Sequence, residues 1–449
     1  MANRLHIRGA QIVTMDETLG DFTMADILIE DGTILAVGPS LDGGGAEMLD
    51  GAGMIALPGI IDAHTCLWQT VLRGYVPDLW PGGYYSKFLP LRSRYTAEDN
   101  FNAAWVGGFE MLSYGTTTVV DYCHDIRSPA FAPASIEALR ETGIRHLFTY
   151  SFMPVAPNEF ARPEDRLADG KDVYDRFHDP KGLTTIGFGI DSWGAAGLEQ
   201  QLAFSRERRA PSCIHVNETG TIDKLAAAGL LGPDLLVIHG NLISNPELER
   251  MAKAGMPLCF TPTADTQGTP ADVVRRAVER GVDVVFGCDI PCTVASDTLG
   301  QLRVMFNVQG YLDGAMERSF STVLGRRPPV RPGLPVLTPR KLIETATITA
   351  ARVLGLGDRI GSLTPGKRAD IVLVRKGPFG DSVVDDACAH VLLQTSPRDI
   401  DTVLVDGKVR MRAGVLQGFD AQRAASMVAA ARGRILGQAL LDRAHPARS

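Results

Sequence analysis

Asp62-Ala63-His64-Thr65-Cys66 closes an apolar run over residues 54–61, and its reading decides the fold because it is the first of a series. Four more segments follow: Asp121-Tyr122-Cys123-His124, His215-Val216-Asn217-Glu218, Ile238-His239-Gly240 and Gly287-Cys288-Asp289. Each sets metal- or proton-handling side chains at the C-terminal end of a short apolar run. An eight-stranded α/β barrel collects its reactive groups at those strand ends, on one face of the molecule.

Working outward from these segments, eight apolar runs stand out, at residues 54–61, 117–122, 144–150, 185–190, 212–216, 235–238, 257–260 and 282–287. They lack polar alternation, as strands buried on both faces do. Between them lie stretches with helical spacing. Residues 246–252 end near Gly255 and residues 271–280 end at Gly281, and glycine just past the last turn is a helix stop. Eight strand–helix units over roughly 300 residues predict an α/β fold, a (β/α)8 TIM-type barrel.

The two ends of the chain have a different texture. Residues 5–13 and 25–30 are β-branched and partly alternating, and Asp31-Gly32 then leads into Thr33-Ile34-Leu35-Ala36-Val37. Two β runs joined by Asp-Gly predict a hairpin. The pattern returns at Asp370-Ile371-Val372-Leu373-Val374 and again around Asp406-Gly407. Residues 1–57 and 360–418 are therefore expected to form a small composite β-sandwich domain, with the barrel (58–359) inserted between them. Residues 338–356 read as one helix with Pro339 at an early position, and the Ala- and Arg-rich tail, 419–449, as a helical one.

Composition narrows the function. Of 449 residues, 45% are hydrophobic and 22% charged, which supplies a large core and argues against disorder. The formal net charge is −7 and no stretch is strongly basic, so nucleic acid is an improbable partner. No apolar run approaches the roughly 20 residues that span a bilayer. Met1 leads directly into a strand-like pattern with no signal-peptide apolar region. Seven scattered cysteines point to free thiols in a reducing cytoplasm.

Residues two apart on a strand share a face, so His64 and Cys66 address one point. Imidazole and thiolate are both Zn²⁺ ligands. A competing reading makes Cys66 a filler, or a nucleophile in a metal-free pocket. His124 is equally a pocket residue or a loop residue. The long loop over residues 68–88 carries Trp68, Trp80, Tyr84, Tyr85 and Phe88, which suit stacking on a planar ring or simply packing the loop down. Thr263, Asp265 and Gln267 offer weak signals for polar contacts at a ring edge. Cys288 alternates away from Asp289 and reads as packing.

Taken together, Leu57-Pro58-Gly59-Ile60-Ile61-Asp62-Ala63-His64, Gly115-Thr116-Thr117-Thr118-Val119-Val120-Asp121 and Gly361-Ser362-Leu363-Thr364-Pro365-Gly366-Lys367-Arg368-Ala369-Asp370 resemble the amidohydrolase superfamily over nearly the whole chain. The similarity is to the branch of cytosine, guanine and S-adenosylhomocysteine deaminases and triazine hydrolases. Trp68-Gln69 and Leu72-Arg73-Gly74 resemble the triazine-hydrolase-like members. The resemblance implies His64 and His215 as metal ligands, with Asp289 as ligand and proton acceptor. It implies Glu218 as the acid/base between water and ring nitrogen, and His239 as a contact to substrate or water. Cys66 stands where the second His of a His-x-His pair belongs. The substrate contacts expected are Trp68, Gln69, His124, Asn217 and Asp265.

The resemblance thus implies a hydrolase of carbon–nitrogen bonds other than peptide bonds, a deaminase or related enzyme acting on a small planar nitrogen compound through water activated at one divalent metal. Zinc is expected first, then iron or manganese, held by His64, Cys66, His215 and Asp289, in a cytoplasmic homo-oligomer. Two alternatives remain: metal-poor or metal-free acid/base chemistry (lyase, hydratase, isomerase or cyclase) by Glu218, His239 and Asp289, and a non-catalytic assembly module.

Overall fold

The computed structural model describes residues 3–77, 83–190, 197–267, 272–312, 337–377 and 384–437. Trp80, Ala271 and the tail beyond residue 437 lie outside them. Eight parallel strands follow one another in sequence order: Ile60–Thr65, Thr116–Cys123, Arg145–Ser151, Thr184–Gly189, Ser212–Val216, Leu235–His239, Leu258–Phe260 and Val284–Phe286. Seven of the eight match the expected runs to within one or two residues. The ring closes by a parallel bridge between Thr65 and Asp289.

The first run differs. Residues 54–61 are two strands in two sheets, because Met54–Pro58 pairs antiparallel with Ile371–Arg375 and the barrel begins only at Ile60. The hand-over is at Gly59. Its N–H donates to the Asp370 carbonyl at 2.8 Å. A Cβ there would fall 2.0 Å from the Thr117 hydroxyl, so only glycine lets the chain pass that close to the second strand.

The terminal segments form one hydrogen-bonded sheet of nine strands, with Met54–Pro58 lying between Arg4–Ile12 and Ile371–Arg375. Both Asp-Gly pairs make the expected hairpin turns. Asp31 and Gly32 have φ of 47° and 77°, and Asp406 and Gly407 have 56° and 74°, the left-handed pair that matches strand twist. This sheet has its own core of Ile7, Ile27, Ile34 and Leu373, among others.

Arg145, at the start of the third barrel strand, ties the sheet to the barrel. Its guanidinium donates to both carboxylate oxygens of Asp370 (2.8 and 3.0 Å) and to Asp406 (3.3 Å). The pair is buried, so removing either partner would strand a charge at a cost of about 3–5 kcal/mol.

Residues 338–356 are two helices, Pro339–Thr345 and Ile348–Val353, rather than one. The Ala346 carbonyl at the break accepts from the N–H of Ile61 at 2.8 Å, so it caps the first barrel strand instead of continuing a helix. The tail forms the helix Ala421–Leu436, N-capped by the Asp420 carboxylate. It buttresses the first loop: Ile435 accepts from Arg94, and Arg434 pairs with buried Asp99. All seven cysteines are free and buried. Among the described residues, no helix is long and apolar enough to cross a membrane.

Candidate active site

The C-terminal strand ends surround a cavity of about 500 Å³, within the range of small-molecule sites. Its lowest wall is the barrel seam. The Asp289 N–H donates to the His64 carbonyl at 2.9 Å, and the Cys66 N–H donates to the Asp289 carbonyl at 2.7 Å. This backbone ladder aligns three side chains. Ligand atoms of His64, Cys66 and Asp289 all lie within 4.8 Å of one another.

The seam requires Gly287. A Cβ there would sit 2.3 Å from the His64 carbonyl oxygen and 2.6 Å from its nitrogen, both backbone atoms that cannot swing aside. Gly287→Ala is therefore expected to lower stability by about 2–4 kcal/mol through forced separation of the first and last strands. Chemical denaturation measures this, and a loss below about 0.5 kcal/mol would contradict a close-packed seam.

His64 is fully buried and neither of its ring nitrogens makes a hydrogen bond; Nε2 faces Asp289 Oδ1 at 3.3 Å. Burial lowers its pKa to about 4, against the opposing pull of Asp289. For Asp289, burial pushes upward, but the His64 ring and the fields of His239 and His215 outweigh it and hold the carboxyl at about 2. Burial, then the carboxylates of Asp289 and Asp121, drive the Cys66 thiol well above its ordinary range. A neutral imidazole with orphaned nitrogens, a carboxylate and a thiol lacking a counter-charge form a donor set that fits a borderline divalent cation.

Around this group stand three rings. The His215 centroid lies 5.1 Å from that of His64, and His239 lies 5.2 Å from His215. Tyr122 packs beneath, 4.6 Å from His215 and 5.3 Å from His64. Gly189 makes room for it, since a Cβ there would meet the Tyr122 ring at 2.6 Å. His239 Nδ1 lies 3.0 Å from Asp265 Oδ1. Asp265 is itself held by the Thr261 N–H, the Thr261 hydroxyl and the Asn241 amide. His239 and Asp289 both have left-handed backbones, φ 69° and 66°, a costly conformation for non-glycine residues that turns their side chains at the strand ends.

Two other acids serve structure. Asp62 accepts from the N–H groups of His64 and Cys288 and from the hydroxyls of Thr65 and Thr298; burial still lifts its pKa to about 6. Asp121 accepts from the Leu67 N–H at 3.0 Å, and burial lifts it to about 7. Cys288 is buried in the wall, as its alternation suggested.

The expected substrate contacts divide. His124, Asn217 and Asp265 line the cavity, and His124 Nδ1 lies 3.6 Å from Cys66 Sγ. Trp68 and Gln69 do not line it. Both are buried behind the wall, where the Trp68 indole N–H donates to His124 and the Gln69 amide donates to the Tyr84 hydroxyl. The turn Leu67–Leu72 packs that part of the loop inward, so these two position the residues that face the cavity. Glu218 is exposed beyond the fifth strand and is not in the lining, because the strand ends at Val216 and the chain turns outward. Arg92, Met153 and Asn241 line the cavity and were missed. Arg92 sits in the turn Leu89–Arg94, whose irregular backbone leaves no periodic signal; its guanidinium donates to the His124 carbonyl.

Proteins of known description resemble this chain over most of its length. A chain from Desulforudis audaxviator (strain MP104C) described as 5-methylthioadenosine/S-adenosylhomocysteine deaminase is 29% identical, covering 91% of this chain and 94% of its own length. A 5'-deoxyadenosine deaminase from Methanosarcina mazei is 24% identical over 93% and 95%. Among solved structures, a triazine hydrolase variant superposes with a TM-score of 0.82 at 22% identity, covering 96% of this chain and 99% of that one. An adenosine deaminase from Xanthomonas campestris with bound zinc gives 0.81 at 20% identity, covering 96% and 98%. These two likenesses establish the fold. With the Amidohydrolase family model matching residues 55–410, most of the length and all five strand-end segments, the chain belongs to the amidohydrolase family.

Proposed function

We propose that this hydrolase of carbon–nitrogen bonds is a deaminase that removes an amino group from a small planar nitrogen heterocycle. The observation that carries the reading is the meeting of His64, Cys66 and Asp289 within 4.8 Å beside His215, at the floor of a cavity sized for one heterocycle. His64, Cys66, His215 and Asp289 would hold one divalent cation, zinc first. Bound there, it supplies Lewis acidity and a water acidified toward neutral pH.

The chain's own groups then divide the work. Asp289, anionic at neutral pH, takes a proton from the water that attacks the ring carbon. His239, oriented by Asp265, stabilises the charge that develops there. Glu218 is assigned the transfer of the water's second proton to the ring nitrogen, and Asp289 returns the first to the amino group, which leaves as ammonia as the ring carbonyl forms. Glu218 stands outside the cavity lining, so this assignment requires its side chain to swing in past Asn217 when substrate binds. Tyr84 and Tyr85 stand in the cavity wall where an aromatic plane would stack. Adenosine-type compounds are the first class to try, given the names of the relatives. The free cysteines support a reducing compartment such as the cytoplasm, and the family resemblance supports a homo-oligomer.

Ammonia release from metal-loaded enzyme tests this, with methylthioadenosine, S-adenosylhomocysteine, 5'-deoxyadenosine, cytosine, guanine and an aminotriazine as the panel. One or more is expected to turn over, with Glu218→Gln slower by about 10²-fold. If none releases ammonia, the deaminase reading fails. A second reading, acid/base chemistry by the same residues without a metal, is favoured by the thiol at position 66. Turnover that survives exhaustive chelation would select it.

A further inference from the structure

We propose that the opposite, N-terminal mouth of the barrel holds a second small-molecule site, for a monoanionic carboxylate with an apolar body. A cavity of about 470 Å³ opens there and shares no lining residue with the active-site cavity. Its inner wall is the barrel interior: Val120, Leu147 and Leu236, with Leu354 of the segment that covers the barrel floor.

Thr149 interrupts that apolar wall. It lies two residues beyond Leu147 on the third strand, hence on the same inward face. Its hydroxyl is buried and has no hydrogen-bond partner. A buried polar group left unmatched is uncommon in native proteins, and here it lines an open cavity. One polar atom on a ligand would satisfy it.

Three arginines line the mouth, and their pairing sets the ligand's charge. Arg206 is neutralised by Asp234 through two bonds, 2.7 and 3.1 Å. Arg352 pairs with Asp283 at 2.9 Å. Arg209 is exposed, and no described residue forms a hydrogen bond or ion pair with its side chain. Just past the helix Leu198–Glu207, its backbone is left-handed at φ 51°, an unusual choice for a residue with a Cβ. The surplus is one positive charge at the entrance to an apolar cavity. A carboxylate complements it, since guanidinium and carboxylate pair through two parallel bonds.

The probe is 4-hydroxyphenylacetate, which combines a carboxylate, a compact apolar body and one hydroxyl. Calorimetric titration of the full chain is expected to show one saturable site. Arg209→Glu should weaken it by about tenfold or more, and Leu147→Trp, which fills the cavity, should abolish it. Phenylacetate, which has no group for Thr149, should bind several-fold less tightly. Absence of saturable binding overturns the proposal. So does an affinity unchanged in Arg209→Glu, which places the ligand elsewhere; that side chain is exposed, so the variant folds whether or not Leu147→Trp does. The readout is binding without turnover, so it stands or falls apart from the deaminase reading.

Discussion

Asp289→Asn is expected to lower kcat/KM on whichever heterocycle is turned over by about 10³-fold or more, while the protein folds as before. The two halves of that expectation have different physical origins. Asp289 closes the barrel through its backbone, donating to His64 and accepting from Cys66, and an amide side chain leaves both bonds in place. The reaction depends on the side chain. Its pKa of about 2 makes it an anion across the physiological range, facing His64 at 3.3 Å. Asparagine is the same size but can neither take a proton from water nor offer a charged oxygen to a cation. Steady-state kinetics beside a thermal melt separates the two effects. A loss of less than tenfold with an unchanged melting temperature would remove Asp289 from the mechanism.

Cys66→Ala is expected to strip the metal. Elemental analysis of the wild-type chain should find about one divalent ion per chain, and the variant should hold it about 10²-fold more weakly, with turnover falling in parallel. Position 66 is buried and its sulfur lies 3.6 Å from His124 Nδ1, so the substitution leaves only a small void. The fold should survive that at a cost of about 1 kcal/mol. Cys66→Ser separates size from ligand chemistry, since a hydroxyl nearly fills the space and is a poor ligand for a borderline cation. Metal content and turnover unchanged in Cys66→Ala would reduce the cysteine to a filler. Turnover that persists in the chelated wild type and vanishes in Cys66→Ala would make it a nucleophile.

The barrel was legible because its strands are short-range objects. Each is an uninterrupted apolar run buried on both faces, and each run ends at a residue type that seldom occurs in a core. The same logic found both Asp-Gly hairpins, whose left-handed pair is a local backbone demand. It failed at residues 54–61, where a single apolar run serves two sheets. Apolarity reports burial and says nothing about which neighbour does the burying. The expected helix over residues 338–356 failed for a related reason: helical propensity lost to one long-range bond, from Ile61 to the Ala346 carbonyl.

Within the site, sequence order placed His64, Cys66, His215, His239 and Asp289 at strand ends, and the structure gathers the last four on one cavity with His64 buried against them. Trp68 and Gln69 were expected at the substrate and stand one layer behind it, because an aromatic or amide in a long loop carries no record of which way it faces. Arg92 was invisible for the same reason.

The chain by itself determined the strand periodicity, the turn chemistry and the kinds of side chain at each strand end, since these depend on residues within a few positions of one another. Only the tertiary structure decided that strands one and eight meet at Gly287 and that this seam presses a thiol, an imidazole and a carboxylate together. Those outcomes depend on packing between segments more than 200 residues apart, where contact is set by closure of the whole ring rather than by any local preference.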